Sequence, residues 1–539
     1  MGLRSDVPSE VWRLSALASV GAAVLLYFGP PGTDFAAHAY QEALYAAHGF
    51  SLWNNLWYSG RYSFITYSTL YYPLAALIGI RALAVLCVGV GVVAFAMVTG
   101  RRWGESARWS IRSVAVMLPA FVLTAAFPFL LGAALSLLAI LALQARRWPA
   151  FAILCVLAAA ASPLAFVLLG MVVLAIGAGE RCSRRSLALG ASILGGVTML
   201  LGLTSVLFPS HARYPFPTQA LVQAMVFALA LAAITWRVEA ARSLRFIAIL
   251  YGTACVVAFV ISSELGENMT RLRFLGLPIA LLALALRDWR PLRVSVLAVL
   301  LAGYWNAAPL VTSFANGSSD ASSHAKYWRP AIDFLRAHDS PAYRVEAVDT
   351  EHHWAAAYLP DAGIPLVRGW FRQDDFPQNA LLYHRLTAAK YQDWLRSLAV
   401  RYVVLTDSTP DYSAQREAAL LRSGRSGLVS VFKTRHIQIF AVPRPRTLVS
   451  GPGGPAVVAF GRARLDLRLA APGTYRVAIR YSPYWNASTG CVSPGPDGML
   501  RVRVLHAGPV HLYFRVGASS LLRVLLGNTE SICAPPAVG

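Results

Sequence analysis

The sequence predicts a polytopic α-helical membrane protein of about eleven spans, N-terminus inside, with a C-terminal extracytoplasmic region that begins as α/β and ends as a β-sandwich. Three observations predict it. Of the 539 residues, 56% are hydrophobic and only 14% are charged, against roughly 25% charged in an ordinary soluble domain. The apolar excess lies almost wholly before Val311, in long runs with few or no charges. The arginines between those runs fall mainly on one set of loops.

Val11 to Phe28 is a full-length apolar run with no small-residue cleavage site after it, so it reads as the first span rather than a removable signal. Further spans are expected near 82–99, 114–128, 129–145, 148–161, 164–179, 186–207, 219–236, 246–262, 274–287 and 294–312. Two pairs are short, 114–128 with 129–145 and 148–161 with 164–179. With Pro128 and Pro163 at their tips, each pair fits two crossings or a re-entrant hairpin.

Arginine counting sets the orientation. Arg4 and Arg13, the group from Arg101 to Arg112, Arg146 and Arg147, and the groups at 181–185, 237–245 and 287–293 share one side. Arg61, Arg81, Arg213, Arg271 and Arg273 fall on the other. The first side is then cytoplasmic, and an odd number of spans places everything after Thr312 outside. The chain accordingly divides into a bundle (1–312) with a long first outer loop (29–80), an extracytoplasmic α/β domain (313–442) and an extracytoplasmic β-sandwich-like domain (443–539). The net charge of +22 is dispersed in short clusters between apolar runs. That distribution argues against a nucleic-acid partner, which needs a basic face.

In the first outer loop, Asp34 to His48 reads as a helix capped by Thr33 or Asp34. An aromatic run follows, with Trp53, Trp57, Tyr58, Tyr62, Tyr67, Tyr71 and Tyr72, and it suits the headgroup layer of a membrane. Beyond the bundle, Tyr327 to His338 has helical spacing, and the segments 401–406 and 436–442 read as strands. RGWFRQDD, residues 368–375, fits no element. After the Pro- and Gly-rich stretch 443–455, alternation with period two around Pro-Gly and Gly-Pro turns predicts a small sandwich. Cys491 and Cys533 both belong to that module, and in an oxidising compartment pairing is their simplest use.

Only Asp34, Glu42, Glu264 and Glu267 give the bundle carboxylates on its outer side. Asp34 lies in PPGTDFAAHAYQ, with His38 four residues on and on the same helix face. Two uses fit it: a general base for an acceptor hydroxyl, or a helix N-cap. Arg271 and Arg273, in SSELGENMTRLRFLGLP, fit a lipid phosphate, or ion pairs with Glu264 or Glu267. His211 and Arg213 lie on the same outer side, as further phosphate or sugar contacts or as a plain connecting loop. The chain has no GxxxxGK[ST], CxxC, HExxH or GxSxG motif, and the adjacent His352 and His353 have poor ligand spacing. The expected spans carry almost no ionisable groups, which counts against a proton-coupled transporter.

The segment GTDFAAHAYQEALYAAHGFSLWNNLWYSGRYSFITYSTLYYPLAALIG resembles the first outer loop of bacterial polytopic membrane proteins of the GT-C glycosyltransferase superfamily. More narrowly, it resembles the membrane family labelled 6-pyruvoyl-tetrahydropterin synthase-related. GENMTRLRFLGLP and the modules after it share the resemblance. It implies a transferase in the bacterial cytoplasmic (inner) membrane that moves a sugar from a polyprenyl-phosphate donor to a cell-envelope glycan or lipid acceptor on the outer face. Asp34 is then the expected base. Arg271, Arg273, Arg213 and His211 would hold the donor phosphate. His38, Arg61, Trp57, Tyr58, Glu267 and Asn268 would line the substrate cleft. Many relatives carry two adjacent acids where this chain has Asp34 followed by Phe35, so no cofactor is assigned and a divalent metal stays open. Two rival readings remain: a lipid or polysaccharide transporter or flippase, and a non-catalytic envelope assembly protein.

Overall fold

The computed structural model describes residues 9–180, 183–210 and 212–527. The chain forms two compact units. The first comprises Met1–Ala47, Tyr67–Leu203 and Ala212–Ser319; the second comprises His48–Thr66, Thr204–His211 and Asp320–Gly539. The first outer loop, expected to belong to the bundle, therefore contributes its central part to the second unit.

The first unit is helical. Among the described residues, eight helical segments are long and apolar enough to cross a membrane, fewer than the expected eleven. They are Ser9–Phe28, Ile80–Thr124, Phe127–Gln144, Arg184–Leu207, Thr218–Thr235, Glu239–Val260, Gly266–Ala285 and Leu292–Ser319. Trp148–Ala161 and Pro163–Gly179 are apolar but shorter, at 14 and 17 residues. At 1.5 Å per residue they fall short of a hydrocarbon core of ~30 Å.

The expected span at 114–128 does not exist as a separate rod. The helix Arg108–Met117 runs into a 3-10 turn, Pro119–Thr124, and the chain reverses at Ala125 with φ +53°. Pro128, expected at the tip, sits just after that reversal in the first turn of Phe127–Gln144, where its missing N–H costs nothing. Small residues let the helices approach closely. A Cβ on Gly132 would lie 2.7 Å from the Ala165 Cβ of the helix Pro163–Gly179.

Among the described residues the second unit has fourteen strands, beginning with the hairpin β1 (Trp53–Asn54) and β2 (Arg61–Tyr62). The α/β part holds β3 (Arg344–Ala347), β4 (Val400–Thr406), β5 (Val429–Lys433) and β6 (Ile437–Ala441), in sheet order β3-β4-β6-β5. Its strand β3 runs parallel to β4, and the other pairs are antiparallel. The helix expected at 327–338 forms as Ala325–His338.

The sandwich contains β7 (Val449–Ser450), β8 (Ala456–Phe460), β9 (Arg464–Leu469), β10 (Gly473–Arg480), β11 (Trp485–Ala487), β12 (Cys491–Pro494), β13 (Met499–Val504) and β14 (Gly508–Phe514). Two four-stranded sheets result, β12-β13-β10-β7 and β11-β14-β9-β8. Alternate side chains such as Leu465, Leu467, Val502 and Leu512 fill the core between them. Trp53 and Tyr62 of the hairpin join that core. The Trp53 ring stacks on Phe514 at 4.9 Å and meets Trp485 edge-on at 5.8 Å. Trp53 and Tyr62 were expected in a headgroup belt; they are buried in protein instead, where an aromatic side chain contributes a large apolar area.

Trp53→Ala should therefore lower the stability of the second unit by ~3–5 kcal/mol, the usual cost of deleting a buried aromatic side chain. Chemical unfolding of the full chain in detergent, followed by near-UV circular dichroism, measures it. An unchanged midpoint would return Trp53 to a lipid-facing belt.

Candidate functional site

Backbone pairing in the first unit builds the site. Pro30 and Pro31 end the first span, and Gly32 lets the next turn pass close to the reversal at Ala125. A Cβ on Gly32 would lie 2.7 Å from the Val122 carbonyl oxygen and 2.8 Å from the Ala125 Cβ. The Thr33 N–H then donates to the Leu123 carbonyl at 3.0 Å, and the Asp34 N–H to the Thr124 carbonyl at 3.3 Å. The helix Phe35–His48 starts here, with the Asp34 carbonyl accepting from the His38 N–H at 3.4 Å.

A second irregular stretch faces this turn. Gly266, at φ +43°, opens a 3-10 helix running Gly266–Leu275. The Tyr214 N–H donates to the Ser263 carbonyl at 2.9 Å, and the Glu267 N–H to the Pro215 carbonyl at 3.3 Å. Asn306 clasps the far end: its amide donates to the Arg273 carbonyl and its carbonyl accepts from the Leu277 N–H, both at 2.9 Å. In a 3-10 helix, residues three apart eclipse one another. Glu267, Thr270 and Arg273 therefore form one stripe, and Asn268, Arg271 and Phe274 its neighbour.

All six of these side chains, together with Thr33, Asp34, Thr124 and Tyr214, line one cavity of 270 Å³. The structure thus brings Asp34, Glu267, Asn268, Arg271 and Arg273 together from widely separated parts of the sequence. The Arg273 guanidinium donates to the Gln223 carbonyl oxygen at 2.5 Å and lies 3.9 Å from the Glu267 carboxylate. Arg271 lies 5.2 Å from the centre of the Phe129 ring. It has no hydrogen bond or ion pair among the described residues. Two guanidinium groups, an amide and threonine hydroxyls form a donor set that suits an anion, set against the carboxylates of Asp34 and Glu267 in the same lining. Among the described residues no group of three His, Cys, Asp or Glu side chains is placed to hold a metal ion.

Other expected site residues lie elsewhere. His38 is fully buried and does not line the cavity. Its Nδ1 is 3.0 Å from the Tyr72 hydroxyl, and its ring packs among Tyr67, Tyr71 and Phe127. Burial pushes the imidazole pKa down to about 4, opposed by the negative charge of Asp34 and reinforced by Arg271. His38 is therefore a neutral brace behind Asp34 rather than a wall of the cleft. Arg213 is exposed and outside the lining; its neighbour Tyr214 takes that place. His211 lies outside the described residues. Cys491 is disulfide-bonded, and its expected partner Cys533 also lies outside the described residues.

Trp57, Tyr58 and Arg61 belong to the second unit, not to this cavity. Trp57 and Tyr58 are fully buried. The Trp57 indole N–H donates to the Ala356 carbonyl at 2.9 Å, and the Tyr58 hydroxyl to the Gly369 carbonyl at 3.0 Å. Arg61 pairs with Asp374 at 2.6 Å and lies 3.7 Å over the Phe371 ring. RGWFRQDD, unplaced from sequence, is the centre of this knot. Arg368 grips Asp375 through two bonds of 3.0 and 2.7 Å, and Arg372 reaches Asp349 at 2.6 Å and Asp411 at 2.8 Å. The sequence signals that pointed past the cavity were aromatic and basic residues whose partners lie hundreds of positions away. Those it missed within the cavity, Phe121, Thr124, Tyr214 and Thr270, carry no distinctive motif.

A larger hollow of 810 Å³ is apolar. It lies between Ser9–Phe28, Ile80–Trp103 and Phe127–Gln144, has no charged lining residue, and so offers no chemistry.

The second unit has a surplus of buried acid. Neither carboxyl oxygen of fully buried Glu346 has a hydrogen-bond partner, and Glu417 accepts from the Tyr391 hydroxyl at 2.6 Å. Burial pushes Glu417 up to about 7 against the pull of Arg368, and burial with neighbouring Glu417 raises Glu346 well above the carboxylate range. Raised carboxyl values stabilise the fold at low pH, and that stability is lost as pH rises through about 7. Asp349, held at about 2 against its burial by His353 and Arg372, acts oppositely; its contribution is lost as pH falls towards that value. Glu346→Gln should therefore raise the stability of the second unit by roughly 1–3 kcal/mol at pH 8 and by much less at pH 5, read by thermal unfolding at both values. Equal shifts at the two pH values would show that Glu346 binds no more protons in the folded chain than in the unfolded one, so that burial does not raise it.

No family model and no curated protein matches the chain, so the narrower likeness to the 6-pyruvoyl-tetrahydropterin synthase-related family finds no support. Among solved structures the chain aligns with cryo-EM structures of the arabinofuranosyltransferase AftD from Mycobacteria. One class of a mutant form matches at 18% identity and a TM-score of 0.47, over 82% of this chain and 42% of that one. A second class of the mutant gives 14% identity and 0.45 over 95% and 60%. A third AftD structure gives 13% and 0.45 over 94% and 57%. The chain spans only about half the length of these structures (42–60%), and a likeness at this level assigns no residue and no activity.

Proposed function

We propose that the chain is a membrane glycosyltransferase that moves a sugar from a polyprenyl-phosphate donor to a cell-envelope glycan or lipid acceptor at the outer membrane face. One observation carries this reading: Asp34, Arg271 and Arg273 line the same small cavity at the ends of membrane-spanning helices. The Asp34 carboxylate takes the proton of an acceptor hydroxyl as its oxygen attacks the anomeric carbon. The bond from that carbon to the lipid phosphate breaks, and the electron pair leaves with the phosphate. Arg271 and Arg273 hold the phosphate and offset its growing charge, an interaction strengthened where water is scarce. Asn268 and Thr270 offer hydrogen bonds to the sugar, and Tyr214 offers a ring face. Glu267, beside Arg273, keeps that guanidinium turned into the cavity. In this scheme the second unit lies outside the cytoplasm and the membrane is the bacterial inner one.

Asp34→Asn keeps the shape of the side chain and removes the base. It should lower transfer by about 10²–10⁴-fold while leaving donor binding intact. Arg271→Met should instead weaken donor binding. Assay of the purified chain with a polyprenyl-phosphate sugar and a hydroxyl acceptor tests both. Transfer by Asp34→Asn at the unaltered rate would remove the base, and the transporter and assembly readings would then take precedence.

A further inference from the structure

From Pro443 to Gly527 the sandwich module carries eleven arginines, no lysine, and two acids, Asp466 and Asp497. Both acids are already engaged: Asp466 with Arg464 at 2.8 Å and His511 at 2.7 Å, and Asp497 with Arg476 at 2.6 Å. The module thus has a large cationic excess with no internal counter-charge.

The sheet β11-β14-β9-β8 shows where part of it points. Leu465, Leu467 and Leu469 of β9 and Val510 and Leu512 of β14 face the core. Strand alternation then sends Arg464, Asp466 and Arg468, with His511, Tyr513 and Arg515, to the opposite face. The register sets them in rows: Tyr513 beside Arg464, and His511 beside Asp466. The face is open, with the Arg464 side chain 61% and the His511 side chain 48% exposed. Tyr513 is 38% exposed.

We infer that this outer face binds an acidic glycan, a polysaccharide bearing carboxylate groups. Arg464, Arg468 and Arg515 supply planar forks for carboxylates. Tyr513 supplies a ring face for a sugar. The Asp466–His511 pair at the centre accepts and donates hydrogen bonds to hydroxyls. That central carboxylate also selects between classes of polyanion. A membrane surface would press closely spaced phosphates against that carboxylate, whereas a polysaccharide can set a hydroxyl donor there and its own carboxylates to either side, against the arginines. Charged and polar side chains in rows along two adjacent strands suit an extended polymer. Binding here is a property of the module itself, independent of sugar transfer in the bundle, although it would name the chemistry of an acceptor.

The test uses the full chain in nanodiscs with polygalacturonate, neutral dextran of matched length and phosphatidylglycerol vesicles as probes. Polygalacturonate should bind at least about tenfold tighter than dextran, and raising sodium chloride from ~0.05 to ~0.5 M should weaken it by about tenfold or more. The double variant Arg464→Gln/Arg468→Gln should lose about tenfold, and Arg501→Gln, on β13 of the other sheet, should lose little. Asp34→Asn should bind as the unaltered chain does, which separates this inference from the transferase reading. Equal binding of dextran overturns the inference, as does vesicle binding without polygalacturonate binding. An equal loss with Arg501→Gln overturns the assignment of the face, and a loss with Asp34→Asn would move the glycan contact into the bundle.

Discussion

Backbone polar groups at membrane depth must find partners inside the protein, and the candidate site follows from that constraint. The first unit departs from regular helix at the turn before Asp34, at the reversal near Ala125 and at the 3-10 stretch after Gly266. Each departure exposes N–H and C=O groups that a continuous helix would have paired. Two sets of bonds take them up: Thr33 and Asp34 on Leu123 and Thr124, and Tyr214 and Glu267 on Ser263 and Pro215. Asn306 supplies both halves of an amide to close the end of the 3-10 stretch. The hollow between these segments is lined by side chains whose positions the backbone pairing has already set.

Arginine plays opposite parts in the two units, and partner supply decides which. In the second unit Arg61, Arg368 and Arg372 each meet a carboxylate within 3.0 Å while almost wholly buried. Removing either partner there would strand a charge, so these pairs hold structure together. In the cavity of the first unit, Arg273 has an amide oxygen as its near partner and a carboxylate only at 3.9 Å. Arg271 has an aromatic ring. Guanidinium groups held by an amide or a ring, with carboxylates in the same cavity but none closer than 3.9 Å among the described ion pairs, keep donors for an anionic ligand, and no residue-type count distinguishes them from the structural ones.

That difference marks how far the sequence could be read. Helical class followed from the apolar runs, and Arg271 and Arg273 stood out because they broke the arginine asymmetry. Asp34 stood out because the bundle has so few outward carboxylates. The count of about eleven spans is not confirmed: Pro119 and Ala125 break one continuous apolar run, and the helices at 148–161 and 163–179 are short. The 3-10 register that gathers Glu267, Thr270 and Arg273 was hidden, since hydropathy starts a span only near residue 274. Trp53, Trp57 and Tyr58 misled for a chemical reason. An amphipathic ring satisfies a headgroup layer and a protein core equally well, and only the chain's path tells which one it enters. Arg61 misled because its partner Asp374 lies 313 positions away.

A base on a loop is usually poorly placed, because a catalytic group must be held within about 0.5 Å of its working position. Asp34 is braced from two directions. Its own N–H is fixed to the reversal segment at Thr124, and one turn along its helix the buried His38 ring is held by the Tyr72 hydroxyl. The chain between these braces and Tyr72 leaves the first unit after Ala47 and returns at Tyr67, whose ring stacks on His38. His38 can serve as the inner brace only while neutral: a charged imidazole in that aromatic nest would lose its hydration without an adequate counter-charge. The depressed pKa of His38 is thus part of how Asp34 is positioned, and of the two acids in this loop, Asp34 and Glu42, it is Asp34 that lines the cavity with the rigidity the proposed base requires.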